Sequence, residues 1–138
     1  MVKEFEILEH TSDVGIIAYG ADMEAAFANA AKAMFSLITE LDEVAEAAHQ
    51  DIELTAPDRE SLLVGWLNEL IYLFDTEQLI LKRFEITRLS QTHLKARSYG
   101  QKVDSARHKL KMGIKAATYH MLEVSTDNGR RVQVLFDI

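Results

Sequence analysis

The strongest constraint on the fold is one long segment, residues 58–78, in which apolar side chains recur at helical spacing. Pro57 precedes it and Asp58 is the predicted N-cap, while Asn68 falls opposite the apolar face. That face consists of Leu62, Leu63, Trp66, Leu67, Leu70, Leu73 and Phe74. Because a one-sided helix must bury its stripe against another element, this segment predicts a layered fold.

A second helix is predicted from Met23 to about Thr39, with Asp22 as its N-cap. Its buried stripe consists of Phe27, Ala30, Ala31, Met34, Leu37 and Ile38. The other segments alternate apolar and polar residues, which is typical of strands. These predicted strands are 3–9, 14–19, 44–56, 79–91, 93–100, 114–124 and 130–137, the last two joined at Asn128-Gly129.

The order β-β-α-β-α-β-β-β-β predicts an α+β fold. We expect a mixed β-sheet with the two main helices packed on one face, forming a single-domain two-layer sandwich over residues 1–138. With 48% apolar residues, a chain of 138 residues has enough material for a core.

Charge and cysteine content narrow the functional classes. The net charge of −7 disfavours direct binding of nucleic acid and favours a basic protein partner or a hard cation. The absence of cysteine excludes disulfides, thiolate zinc sites and cysteine nucleophiles. There is no signal-like apolar run and no stretch approaching the roughly 20 apolar residues that span a bilayer. We therefore expect a soluble cytoplasmic protein without a membrane partner.

Two aspartates at strand ends are candidate metal ligands. Asp13 lies in HTSDVG, residues 10–15, and Asp137 lies in the final LFDI. Carboxylate, carbonyl and terminal oxygens together suit Ca²⁺ or Mg²⁺. Each aspartate also has an ordinary explanation, since Asp13 suits a turn and Asp137 a solvated terminus. The hypothesis is that the fold brings the two together.

Other polar segments leave alternatives open. Lys115, in IKAATYH at residues 114–120, is either a phosphate ligand or a solvated strand lysine. The 101–113 loop, the only basic concentration in the chain, is either a partner contact or a mobile solvated loop. No histidine spacing typical of zinc sites, no phosphate-binding glycine loop and no GxSxG nucleophile motif occurs.

Five motifs in order resemble the archease family. They are HTSDVGIIAYG, AFANAAKAMFSL, WLNELIYLFD, IKAATYH and VLFDI, and the resemblance extends from about Glu9 to Ile138. Archeases assist the RtcB-type tRNA-splicing RNA ligase, which guanylylates its own histidine with GTP and a divalent metal. The resemblance implies that this chain is not an enzyme but a factor that promotes ligase guanylylation and multiple turnover.

The resemblance also implies a bound divalent cation, Ca²⁺ first and Mg²⁺ or Mn²⁺ as alternatives. Its implied ligands are Asp13, Asp137 and, through backbone or terminal oxygens, Ile138; His10 and Lys115 are candidate supporting residues. RNA and GTP would be reached only through the ligase. Two other functions stay open: a stand-alone metal-dependent phosphohydrolase, and a chaperone or modulator of tRNA-modifying enzymes.

Overall fold

A computed structural model describes residues 3–9, 13–126 and 130–138. In chain order its elements are β1 (Phe5–Glu9), β2 (Asp13–Gly20), α1 (Met23–Ile38), a 3₁₀ turn (Leu41–Glu43), β3 (Ala48–Thr55), α2 (Arg59–Glu77), β4 (Leu79–Leu89), β5 (His93–Lys102), β6 (Ala116–Ser125) and β7 (Arg130–Asp137). The α+β class and the predicted order of helices and strands are confirmed. The predicted Asn128-Gly129 turn lies outside the described residues.

The described strands form two antiparallel sheets, in the orders β1-β2-β7-β6 and β3-β5-β4. The prediction of one mixed sheet was wrong in this respect. Alternation of apolar and polar residues shows which face of a strand is buried, but it does not show which strand lies beside it or in which direction. Helix α1 contacts β2 and β4 and so packs against both sheets, while α2 packs mainly on β6.

Both helices begin at the predicted caps. The Asp22 carboxylate accepts a hydrogen bond from the Ala25 N–H at 2.8 Å, and the Asp58 carboxylate accepts one from the Ser61 N–H at 2.7 Å. These bonds satisfy N–H groups that have no partner within the helix. The backbone N–H of Ser61 also lowers the pKa of Asp58, because it stabilises the ionised carboxylate.

The core lies where the two helices meet both sheets. Trp66 of α2 is fully buried, and its indole N–H donates to the Phe27 carbonyl of α1 at 3.0 Å. The Phe84 ring of β4 lies edge-on to Trp66, with centroids 5.9 Å apart, and stacks on Phe35 at 6.1 Å. Both predicted apolar stripes are buried apart from Phe74, which is half-buried.

β3 and β6 depart most from the predicted strands. β3 begins at Ala48 rather than near residue 44, because the Ala45 N–H donates to the side chain of Gln101 on β5 at 2.6 Å rather than to a backbone carbonyl of that strand. In β6 the register with β7 shifts between Thr118 and Glu123, where residues 119–122 lie opposite a single residue of β7. We call these four residues the 119–122 bulge.

Candidate functional site

Two aspartates from distant parts of the sequence face each other across neighbouring strands. β2 begins at Asp13 and β7 ends at Asp137, and the antiparallel register pairs these residues directly. Residues directly opposite on such strands project to the same face, with Cβ atoms about 4.5–5.5 Å apart. The fold therefore brings together the two carboxylates that the sequence placed at separate strand ends.

The residue just before β6, Lys115, lies at the same place. Its main-chain N–H donates to the Asp137 carbonyl at 2.8 Å, and the following residue, Ala116, pairs with Asp137 in the sheet. The Lys115 side chain is exposed, and so is that of Ile138. We call Asp13, Lys115, Asp137 and Ile138 the carboxylate end of the molecule.

Gly15, in the same motif as Asp13, permits the close approach of β2 and β7. A Cβ atom at this position would overlap the Leu135 side chain and come within 3.1 Å of the Val134 carbonyl oxygen. A larger residue would have to displace the Leu135 side chain and shift the Val134 carbonyl by a few tenths of an ångström. The glycine of the motif thus keeps the packing between β2 and β7 undisturbed two residues from Asp13.

The charges at the carboxylate end are not neutralised within the described part of the chain. None of the ion pairs there includes Asp13 or Asp137, although like charges directly opposite each other destabilise a sheet. No group of three or more His, Asp or Glu residues that could hold a metal occurs among the described residues. Two carboxylates with nearby main-chain oxygens fit a hard cation that completes its shell with water. The assignment of Asp13, Asp137 and Ile138 as ligands stays a prediction.

Asn68 supports this end in a way that the sequence did not indicate. Its side-chain carbonyl accepts from the Ala117 N–H at 2.8 Å, and its amide N–H donates to the Ala117 carbonyl at 3.4 Å. The amide thus takes the place of a neighbouring strand along β6, two residues from Lys115. In the sequence Asn68 was only a polar residue opposite an apolar stripe, so no pattern marked it.

The 119–122 bulge was also missed, because the alternation through residues 114–124 predicted an unbroken strand. Tyr119 and His120 are both exposed, whereas a regular strand would place them on opposite faces. Met121 has a left-handed backbone with φ 55°. The buried Gln133 of β7 donates a side-chain N–H to the Met121 carbonyl at 2.9 Å. The bulge depends on the backbone of one residue and on one side-chain hydrogen bond, and a periodic pattern of apolar and polar residues shows neither.

Hydrogen bonds hold the basic loop, residues 101–113, against the rest of the fold. The buried ring of His108 accepts from the Asp104 N–H at 3.0 Å through Nδ1, and its Nε2 lies 2.9 Å from the Glu43 carbonyl oxygen. Thr39 donates to the Lys109 carbonyl at 2.8 Å. The alternative of a mobile loop is therefore not supported, and its role as a partner contact stays a prediction. His10 lies outside the described residues.

A second charged cluster lies on the outer face of the β3-β5-β4 sheet, and its groups satisfy one another. Arg97 binds both carboxylate oxygens of Asp51, at 2.7 and 3.1 Å, and thereby lowers the pKa of Asp51. The Tyr99 hydroxyl donates to Glu85 at 2.6 Å, which lowers the pKa of Glu85 and raises that of Tyr99. Since these groups are already paired, we read the cluster as structural.

The family model of the archease protein family matches residues 5–138. The chain belongs to the archease family. This confirms the resemblance seen in the motifs, and the match includes Asp13, Lys115 and Asp137. No helix of the described residues is long and apolar enough to cross a membrane.

Individual relatives agree with the family match. The chain is 39% identical over 141 residues to the protein archease of Methanosarcina mazei, covering 99% of this chain and 97% of that protein. It is 35% identical over 129 residues to that of Sulfolobus acidocaldarius, covering 93% of each.

Two solved structures share the fold. The solution structure of a Methanobacterium thermoautotrophicum protein, 35% identical, superposes with a TM-score of 0.84 over 99% of this chain and 100% of that chain. A Thermotoga maritima archease, described as a possible chaperone and 19% identical, has a TM-score of 0.59 over 95% of this chain and 94% of that chain. At that identity the second likeness shows the fold alone.

Proposed function

We propose that this archease family member is an accessory factor of an RtcB-type RNA ligase, and that its carboxylate end promotes guanylylation of the ligase. The observation that carries the proposal is the cross-strand pairing of Asp13 with Asp137 beside Lys115, in a chain whose family match covers residues 5–138. The partner and the reaction come from the family resemblance. The geometry supports the choice of the carboxylate end as the part of the molecule that acts.

In this proposal, Asp13, Asp137 and oxygens of Ile138 hold a divalent cation at the carboxylate end. A bound hard cation neutralises charge on phosphate oxygens. The two aspartates position that charge next to the GTP-binding pocket of the ligase, and the exposed Lys115 adds a second positive group. Charges fixed in place before reaction favour nucleotidyl transfer, because no reorganisation is needed as the transition state forms.

The direct test follows guanylylation of the purified ligase with labelled GTP. Asp13→Asn and Asp137→Asn preserve side-chain shape and remove one charge each, and we expect each to lower the stimulated rate at least about tenfold. Glu24→Gln is the matched control, since it removes a carboxylate at the start of α1, beyond the opposite end of β2. Full stimulation by both folded Asn variants would rule out the proposal.

The same variants discriminate the two rival functions. A stand-alone phosphohydrolase would hydrolyse GTP or a phosphoester without the ligase and would lose that activity in Asp13→Asn. A chaperone would stimulate its client equally well with either aspartate replaced. The accessory-factor proposal expects neither result.

A further inference from the structure

The 119–122 bulge exposes two large apolar side chains, Tyr119 and Met121. Tyr119 is 61% exposed and Met121 is 53% exposed, and Ile138, at the end of the neighbouring strand, is 44% exposed. Single exposed apolar side chains are ordinary, but neighbouring ones indicate an interaction surface. Tyrosine and methionine are enriched in protein–protein interfaces.

The bulge is held in shape although part of its backbone is unfavourable. Met121 adopts φ 55°, a conformation that residues with a Cβ rarely adopt. The side-chain amide of Gln133, a residue only 8% exposed, fixes the Met121 carbonyl at 2.9 Å. Thr118, just before the bulge, donates to the Leu135 carbonyl at 3.1 Å. Strained segments that their surroundings hold in place occur preferentially at functional sites.

The bulge lies on the same sheet as the carboxylate end. Thr118 pairs with Leu135, which precedes Asp137 by two residues, and the bulge begins at the next residue, so roughly 10 Å of strand separates it from the aspartate pair. One protein partner can therefore contact both the exposed apolar side chains of the bulge and the aspartate pair.

This combination selects a protein as the partner. The chain carries a net charge of −7, which repels a polynucleotide backbone and is complementary to a cationic protein cleft that handles phosphates. The apolar side chains of the bulge require an apolar surface beside that cleft. A protein with a basic cleft and an apolar rim supplies both.

We propose that the 119–122 bulge is the docking element that sets the affinity for this protein, which, resting on the proposed function, is the RNA ligase. Tyr119 and Met121 pack against the apolar rim of the ligase cleft. The aspartate pair contributes mainly to the rate of the activated reaction. Affinity and activation are therefore separable on the surface of this chain.

The experiment measures stimulation of guanylylation against the concentration of this protein, using the purified ligase. We expect Tyr119→Ser and Met121→Asn to raise the half-saturating concentration about tenfold and to leave the saturating rate within twofold of wild type. Asparagine is chosen at position 121 because it tolerates a left-handed backbone. Tyr119→Phe keeps the ring and should retain most of the affinity.

The control is Ile7→Ser on β1, the opposite edge of the same sheet, where Ile7 is 47% exposed. It should leave both parameters unchanged. Thermal unfolding establishes that each variant is folded, and binding of a labelled oligoribonucleotide without ligase is measured in parallel.

Each contrary outcome has a distinct meaning. If folded Tyr119→Ser and Met121→Asn keep the wild-type affinity while Asp13→Asn still loses stimulation, the docking proposal is overturned. The proposed function then still stands. If the bulge variants lose binding of the oligoribonucleotide, RNA is the occupant of this surface, and the docking proposal is overturned. A wild-type protein that neither binds nor stimulates the ligase refutes the proposed function and the inference together.

Discussion

The facing aspartates lead to a prediction about stability. Asp13→Asn should be more stable than the wild type without a divalent cation and less stable than the wild type with one. Without a divalent cation, Asp13 and Asp137 repel each other across β2 and β7, so Asp13→Asn should stabilise the fold. A cross-strand pair contributes about 0.2–1 kcal/mol. For a chain of 138 residues, where 1 kcal/mol corresponds to roughly 3–4 °C, we expect the variant to melt about 2 °C higher in chelator.

With Ca²⁺ present the order should reverse. The two carboxylates come from strands near opposite ends of the sequence, so the pair forms only in the folded chain and the cation binds that state selectively. At a concentration 100 times the Kd, such binding adds about 2.7 kcal/mol to the free energy of unfolding. This corresponds to a rise of about 9 °C for the wild type. Asp13→Asn, with one ligand charge removed, should gain less than a third of that.

The assay is thermal unfolding followed by circular dichroism at pH 7, in chelator and across a Ca²⁺ titration, with Glu24→Gln as the control. Parallel titrations with Mg²⁺ and Mn²⁺ rank the three cations. An unchanged wild-type melting temperature at millimolar Ca²⁺ would refute the cation site. An equal gain in Asp13→Asn would show that the cation binds elsewhere.

Three further predictions concern local structure. Asn68→Ala leaves both backbone groups of Ala117 without their side-chain partner and should lower the free energy of unfolding by about 1–2 kcal/mol in urea denaturation; a change below about 0.3 kcal/mol would contradict this. Gln78 ends α2 with φ 59° and an exposed side chain, a backbone conformation that glycine adopts more easily. Gln78→Gly should therefore raise the free energy of unfolding by about 1 kcal/mol in the same assay, and a decrease would contradict this reasoning. Asp58→Ala should lower the melting temperature by roughly 3 °C at pH 7. Because the folded-state pKa of Asp58 is lowered, its contribution is present above the ordinary pKa of an aspartate and is lost as the pH falls through the folded-state pKa. A difference that persists in strong acid would refute this origin.

The parts of the fold that the sequence predicted are those governed by periodic or local chemistry. The caps Asp22 and Asp58 follow from the preference of carboxylates for free N–H groups. The two helix stripes follow from the 3.6-residue repeat. The division into two sheets was not predictable in this way, because strand neighbours are set by packing between distant segments.

The same distinction applies to the candidate site. Asp13 and Asp137 were recognisable as carboxylates at strand ends, but only the register of β2 and β7 makes them neighbours. Asn68 and Met121 were not recognisable, since one bonds a strand distant in sequence and the other depends on a register shift. Alternation treats a bulged strand and a regular strand alike.

The amide of Asn68 has a consequence beyond the site it supports. β6 is an outer strand of its sheet, and outer strands offer free backbone groups to which other chains can add, the route to fibrils. Here α2 occupies both polar groups of Ala117, and the bulge then bends the strand out of line. The free edge of β6 is thus interrupted at Ala117 and again at the bulge, and such interruptions disfavour edge-to-edge aggregation on this side.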